Sequence, residues 1–196
     1  MQIISLFHPL FNTIFKGILH GPSTIPTWHP LYGKKYYSWG KYTRKLQLYD
    51  GRIITVVIYR FYCPEERKTY SLLPYFITSY QRHINTVIED CILSHILNDR
   101  SFDSLSRYPA PKYRTVKRWV NNFIYSVDNT LEKVEQFLSF QLPSYRIADS
   151  PLYTVAQKVK YIFDNAKHII NNPDSYEAYG KLSYINYAIA VHDASQ

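Results

Sequence analysis

Cysteine is nearly absent, with only Cys63 and Cys91 in 196 residues. One follows a strand-like run and the other falls in a helix-like one, so no disulfide framework is expected, and a reducing, cytoplasmic compartment fits. The six glycines are scattered, which leaves no glycine-rich loop able to cradle a phosphate. Neither an HExxH helix nor a Ser-His-Asp arrangement occurs. Long apolar runs are missing too. The N-terminal "MQIISLFHPLFNTIFKGILHG" is interrupted by His8, Pro9, Asn12 and Lys16 and has no basic leader, so a packed segment is expected rather than a signal peptide or membrane anchor. Acidic residues are few. Asp50, Asp90, Asp99, Asp103, Asp128 and Asp149 fall mostly at a turn, at helix caps and on helix surfaces. A metal-dependent recombinase or nuclease needs two or three carboxylates at one site, so a non-enzyme is expected.

What is present is apolar and basic. A 46% hydrophobic content is enough to build a core, and 23 Lys and Arg against 15 Asp and Glu leave a net charge of +8. The excess is uneven: residues 1–127 carry 17 basic and 7 acidic side chains, residues 128–196 carry 6 and 8. A polyanion-binding region joined to a near-neutral part has this distribution, because phosphate neutralisation supplies most non-specific affinity for nucleic acid. A plain solvated basic surface has it as well.

The period of the apolar residues changes along the chain. "KKYYSWGKYTRKLQLYDGRIITVVIYRFY" is rich in aromatic and β-branched residues and broken once by Asp50-Gly51, which predicts a two-residue hairpin turn between strands over about 41–49 and 52–62. Further on, Ile84, Val87, Ile88, Cys91, Ile92, His95 and Ile96 recur at spacings of three and four, one face of a helix. Ser101 can cap a short helix, Pro109 and Pro111 break the chain, and a second helix begins near 111–112 with Val116, Trp119, Val120 and Phe123 as its buried stripe. Three more helical stretches are expected near 128–140, 150–171 and 174–192. The fold class is therefore α+β, divided as an apolar segment 1–27, a β domain 28–76, a helix pair 77–127 and a helical region 128–196.

A short helix, a break and a second helix with a basic exposed side follow the helix-turn-helix plan, in which the second helix enters the DNA major groove. Arg114 and Thr115 fall in its first turn, where an arginine can bond bidentately to guanine. Lys112, Lys117 and Arg118 suit phosphates, as do Lys41, Arg44 and Lys45 on the hairpin. The same pattern also describes two ordinary packed helices with a wet basic face. The hairpin ends in "RFYCPEERKTYSLLP", where Cys63-Pro64 begins like a zinc knuckle but Glu66 stands at the second ligand position. Upstream, His29-Pro30 is followed by Tyr32 at the partner position. His29, Cys63 and Glu66 can each bind zinc and Tyr32 rarely does, so any zinc site is expected to be weak.

From about Trp28 to Phe123 the chain resembles a family of bacterial proteins carried by insertion elements, which join a zinc ribbon to a helix-turn-helix. The resemblance rests on "SWGKYTRKL" at Ser38–Leu46, "YRFYC" at Tyr59–Cys63, "TYSLLPYFITSYQRH" at Thr69–His83 and "RTVKRW" at Arg114–Trp119. It implies a zinc-ribbon-like β domain followed by a helix-turn-helix, and a duplex-DNA-binding role in a mobile element. The four cysteines of the family pattern fall on His29, Tyr32, Cys63 and Glu66, so the resemblance implies the fold with a degenerate ligand set. The implied partners are duplex DNA and a second copy or another mobile-element protein, with no membrane. An adaptor or inhibitor descended from such a DNA binder is the alternative. It is favoured by the lost ligands and the tyrosine-rich C-terminal third, where "SYEAYGKLSYINYAIAVHD" must pack on the body or on another copy.

Overall fold

The computed structural model describes residues 3–6, 18–20, 23, 33–48, 50–74, 76–107, 111–142, 145, 154–169 and 180–195. They form a mixed sheet and a set of helices, an α+β arrangement. The centre of the sheet is a three-stranded antiparallel unit: β3 (Tyr37–Gln47), β4 (Ile53–Cys63) and β5 (Lys68–Pro74). Two N-terminal strands extend it in parallel, β1 (Ile3–Leu6) along β5 and β2 (Ile18–His20) along β4. The β5 run "KTYSLLP" carries no turn signal and no alternation. As a strand flanked on both edges, it is buried almost throughout from Tyr70 to Pro74.

The hairpin forms where expected but closes differently. Leu48 N–H donates to the Arg52 carbonyl and Gly51 N–H to the Leu48 carbonyl, so a three-residue loop replaces the two-residue turn. Gly51 takes the left-handed conformation, φ +82°, that such loops need at this place. Asp50 closes the loop by accepting from Arg52 N and pairing with its guanidinium at 2.5 Å.

The helices are α1 (Asn85–Ile96), α2 (Phe102–Leu105), α3 (Tyr113–Gln141), α4 (Val155–Asn165), which runs into a 3-10 turn at Ala166–His168, and α5 (Lys181–Ser195). Ser101 caps α2 through its hydroxyl, and Thr154 caps α4 in a reciprocal box with Gln157. The stretch expected to divide near 127 is one continuous helix of 29 residues, about 43 Å long. Its buried stripe runs unbroken from Val116 through Val127, Thr130 and Val134 to Leu138. The change of charge at 127–128 alters only the solvent side, and backbone continuity follows the stripe.

One large core lies among the helices. It holds Val87 and Ile92 of α1, Trp119 and Phe123 of α3, Ile162 of α4 and Tyr184 and Ile185 of α5. The sequence "KLSYINYAIAVHD" therefore packs on the body of the protein, with Tyr184 wholly buried. The sheet has two smaller cores, one per face. Leu46, Val56, Ile58, Leu73, Phe76 and Ile77 face the helices, while Phe61, Cys63, Tyr70 and Leu72 lie together toward the other end. No described helix is long and apolar enough to cross a membrane.

Candidate nucleic-acid interface

Helical periodicity separates the two sides of the first turns of α3. Val116, Trp119, Val120 and Phe123 go inward, while Lys112, Arg114, Lys117, Arg118 and Asn121 stay exposed and Thr115 is half-buried. Among the described residues none of the four basic side chains takes part in an ion pair. They form a band of uncompensated positive charge along the start of the helix. Phe102 of α2 packs edge-on against Tyr113 and stacks on His95 at 4.0 Å, which fixes the approach to α3. His95 Nδ1 in turn lies 2.7 Å from the Arg100 carbonyl.

A residue to which the sequence alone assigned no role ties α3 to the sheet. Gln81 lies in the link between β5 and α1. Its side-chain oxygen accepts from the Trp119 indole at 2.7 Å, and its backbone carbonyl accepts from the Arg44 guanidinium. One residue thereby joins β3 to α3. Next to it, Gln47 N–H donates to the Arg82 carbonyl at 2.7 Å, and the His83 ring stands edge-on to Trp119 at 5.0 Å. Both His83 ring nitrogens are buried without a hydrogen-bond partner, and burial holds its pKa below the usual histidine value. Tyr80, just ahead, has φ +62°, a left-handed backbone that is uncommon for a side chain of this size. The only advance signal of this junction is a run of polar residues, "SYQRH", immediately before an apolar helix.

A buried polar network holds the other side of the link. Thr78 Oγ1 donates to Asn85 Oδ1 at 2.7 Å, Asn85 Nδ2 to Ser183 Oγ at 3.1 Å, and Asn186 Nδ2 to Thr78 Oγ1 at 3.1 Å. Between α1, α3 and α5 there remains an open groove of about 180 Å³, with Trp119, Phe123 and Asn186 on its walls.

The hairpin candidates divide by strand parity. Lys41 and Lys45 are exposed together with Thr43 on the face turned away from the helices. Arg44 shares the opposite face with Tyr42 and Leu46, half-buried and bound to Gln81, so it acts within the fold. Lys41 and Lys45 thus do not lie on one surface with Arg44.

Of the knuckle residues, His29 lies outside the described residues, as does Tyr32. Cys63 is fully buried against Phe61, Tyr70 and Leu72. Glu66 has both oxygens engaged. Oε1 pairs with Lys34 Nζ at 2.5 Å and Oε2 accepts from the Tyr70 hydroxyl. The hydrogen bonds from Lys34 and then Tyr70 hold its carboxyl below the usual range, while Tyr70 is pushed up, first by burial and then by that bond. An ammonium and a phenol occupy the carboxylate that a metal would need, so Glu66 as placed does not fit a metal-ligand role. Among the described residues no three His, Cys, Asp or Glu side chains converge. Asp50 is paired with Arg52, Asp128 with Lys158 and Asp164 with Lys160.

Residues 29–119 match the family described as domain of unknown function DUF6431. The matched stretch takes in β3 to α2 and the first turns of α3, including Arg44, Gln81 and Trp119. No curated protein and no solved structure matches the chain.

Proposed function

We propose that the protein binds duplex DNA through the first turns of α3, without catalysis of its own, as a component of a bacterial mobile element. The observation that carries this reading is the unpaired basic band Lys112, Arg114, Lys117 and Arg118 on a helix anchored from behind by Trp119. Such a helix presents Arg114 and Thr115 to base edges and the remaining cations to phosphates. Lys41 and Lys45 add a second basic surface on the outer face of the hairpin. These contacts need no cofactor. The assignment to a mobile element rests on the resemblance of Ser38–Leu46, Thr69–His83 and Arg114–Trp119 to transposon-associated proteins that join a zinc ribbon to a helix-turn-helix. That resemblance also supports a cytoplasmic setting and a second copy or another mobile-element protein as partner.

The test is selection from a random duplex library across salt concentrations, followed by variants. An enriched motif with a steep salt slope is expected. Arg114→Ala is expected to cost about 1–3 kcal/mol and relax one base position. Lys117→Ala is expected to weaken all sequences alike and flatten the salt slope by about one unit. Weak binding that neither substitution changes would refute the assignment. A second reading, an adaptor or inhibitor that contacts protein, draws on the part of α3 beyond the basic band, where Tyr125 is 94% and Phe140 84% exposed. It expects DNA affinity indifferent to Arg114 and Lys117.

A further inference from the structure

The helix-facing side of the sheet continues beyond the helices. Tyr37 stands opposite Tyr62 and Ser38 opposite Phe61, but Lys41 stands opposite Tyr59, so one extra residue is inserted between Ser38 and Lys41. Such a bulge re-aims the side chains beside it. Trp39 here packs on Tyr62 with ring centroids 5.1 Å apart, and Arg60, next on the same face, lies 5.8 Å over the Tyr42 ring. Tyr37, Trp39, Tyr62, Arg60 and Tyr42 therefore make one row, whose far end is open. Trp39 is 54% and Tyr37 48% exposed.

Exposed single aromatics are ordinary, but adjacent rings flanked by cations are a binding surface. Lys35 Nζ sits 5.6 Å from the Tyr37 ring at the open end of the row, and Arg60 lies within it, while Lys41, beyond the bulge, is on the other face. The guanidinium of Arg60 lies over the Tyr42 ring and brings a positive charge to the row. From Gly33 to Leu48 and from Ile53 to Cys63 there is no Asp or Glu. Glu66 is taken by Lys34 and Glu65 acts on Lys35, yet the strands keep a positive excess, which favours an anionic partner. Flat, half-exposed rings add nothing for a duplex, whose base faces are hidden in the stack. They suit unpaired bases, which stack on aromatic side chains while cations track the backbone.

We propose that Trp39, Tyr37 and Tyr62, with Arg60 and Lys35, form a stacking platform for single-stranded DNA, separate from the duplex contacts of α3. This goes beyond the duplex-binding reading and does not depend on it. The two can also act together, because the row and Arg44, which is bonded to the Gln81 that anchors α3, share one face of the sheet.

The test is fluorescence anisotropy with labelled oligodeoxythymidine and, separately, a blunt duplex. Trp39→Ala is expected to weaken oligodeoxythymidine binding about 10- to 100-fold, Trp39→Phe to keep most of it, and duplex binding to change less than about twofold in both. Trp39 is half-exposed, so a thermal melt is expected to show both variants folded. Wild-type-like oligodeoxythymidine binding by Trp39→Ala, no binding by the wild type, or an equal loss on the duplex would each overturn the platform. So would oligouridine bound more than about tenfold tighter than oligodeoxythymidine, which would make RNA the ligand. If Arg114→Ala leaves duplex affinity untouched while oligodeoxythymidine binding still depends on Trp39, the α3 reading fails and the platform stands.

Discussion

The sheet and the helical part solve the same problem in different ways. The helices share one continuous hydrophobic core reaching from Val87 to Ala188. The sheet has two small cores on opposite faces, and it is finished with polar and aromatic contacts: Glu66 with Lys34 and Tyr70, Tyr36 edge-on to Phe61, Arg60 over Tyr42. Close packing makes a lost group felt in either part, but the helices rely on buried apolar area where the sheet relies on individual polar and aromatic contacts. The difference places the sensitive point at the seam, where Gln81 holds Arg44 of the sheet and Trp119 of the helices.

The largest effect should come from that seam. Trp119→Ala removes a buried ring and its hydrogen bond to Gln81, and about 3–5 kcal/mol of stability should be lost in a denaturant titration. If the two regions are only loosely joined, the transition should also split into two steps. A single cooperative transition would show the seam to be no weaker than either side.

Next comes a position inside the helical part. Gly180 has φ +76°, and a Cβ there would stand 2.7 Å from Glu89 Oε2 and 3.0 Å from Thr86 Cγ2. Glu89 is largely buried, and burial raises its pKa against the opposing bond from Leu182 N–H at 2.9 Å, which secures the start of α5 on α1. Gly180→Ala should cost about 2 kcal/mol from backbone strain and displacement of this carboxylate. An unchanged melting temperature would mean that the docking of α5 is looser than the structure shows.

The smallest effect is expected from pH, again at the seam. The folded pKa of His83 lies below its ordinary value of 6.5, so the folded state binds fewer protons than the unfolded chain in the window below that value. The stability involved is fully present above about pH 6.5 and is lost as pH falls toward the folded pKa. His83→Phe should flatten the pH dependence of the melting temperature between about pH 7 and 5. Equal slopes in variant and wild type would assign the effect to the other histidines.

The fold was legible in the sequence wherever a local rule governs it. Asp50-Gly51 marked the hairpin, the spacing of Ile84 to Ile96 marked α1, and Ser101 marked the cap of α2. The separate stretch expected near 128–140 is instead the continuation of α3. Its apolar stripe runs on to Leu138 with no proline or glycine before Pro143. At the candidate interface, the exposure of Lys112, Arg114, Lys117 and Arg118 followed from helical period. The burial of Arg44 was equally available, since it shares strand parity with Tyr42 and Leu46. The Gln81–Trp119 bond was not, because it spans 38 positions and neither local pattern nor composition encodes which distant partner a glutamine finds.

The unbroken course of α3 bears on how this protein can be taken apart. The stretch shared with the family ends at Trp119, about two turns into a helix that continues to Gln141. A cut there would remove Val120, Phe123 and Val127, which share the core with the indole. The matched stretch and the helix it enters thus end at different places. A fragment ending at Trp119 is therefore expected not to fold alone, because the stripe that seats the first turns of α3 continues through Val127 and Val134 to Leu138.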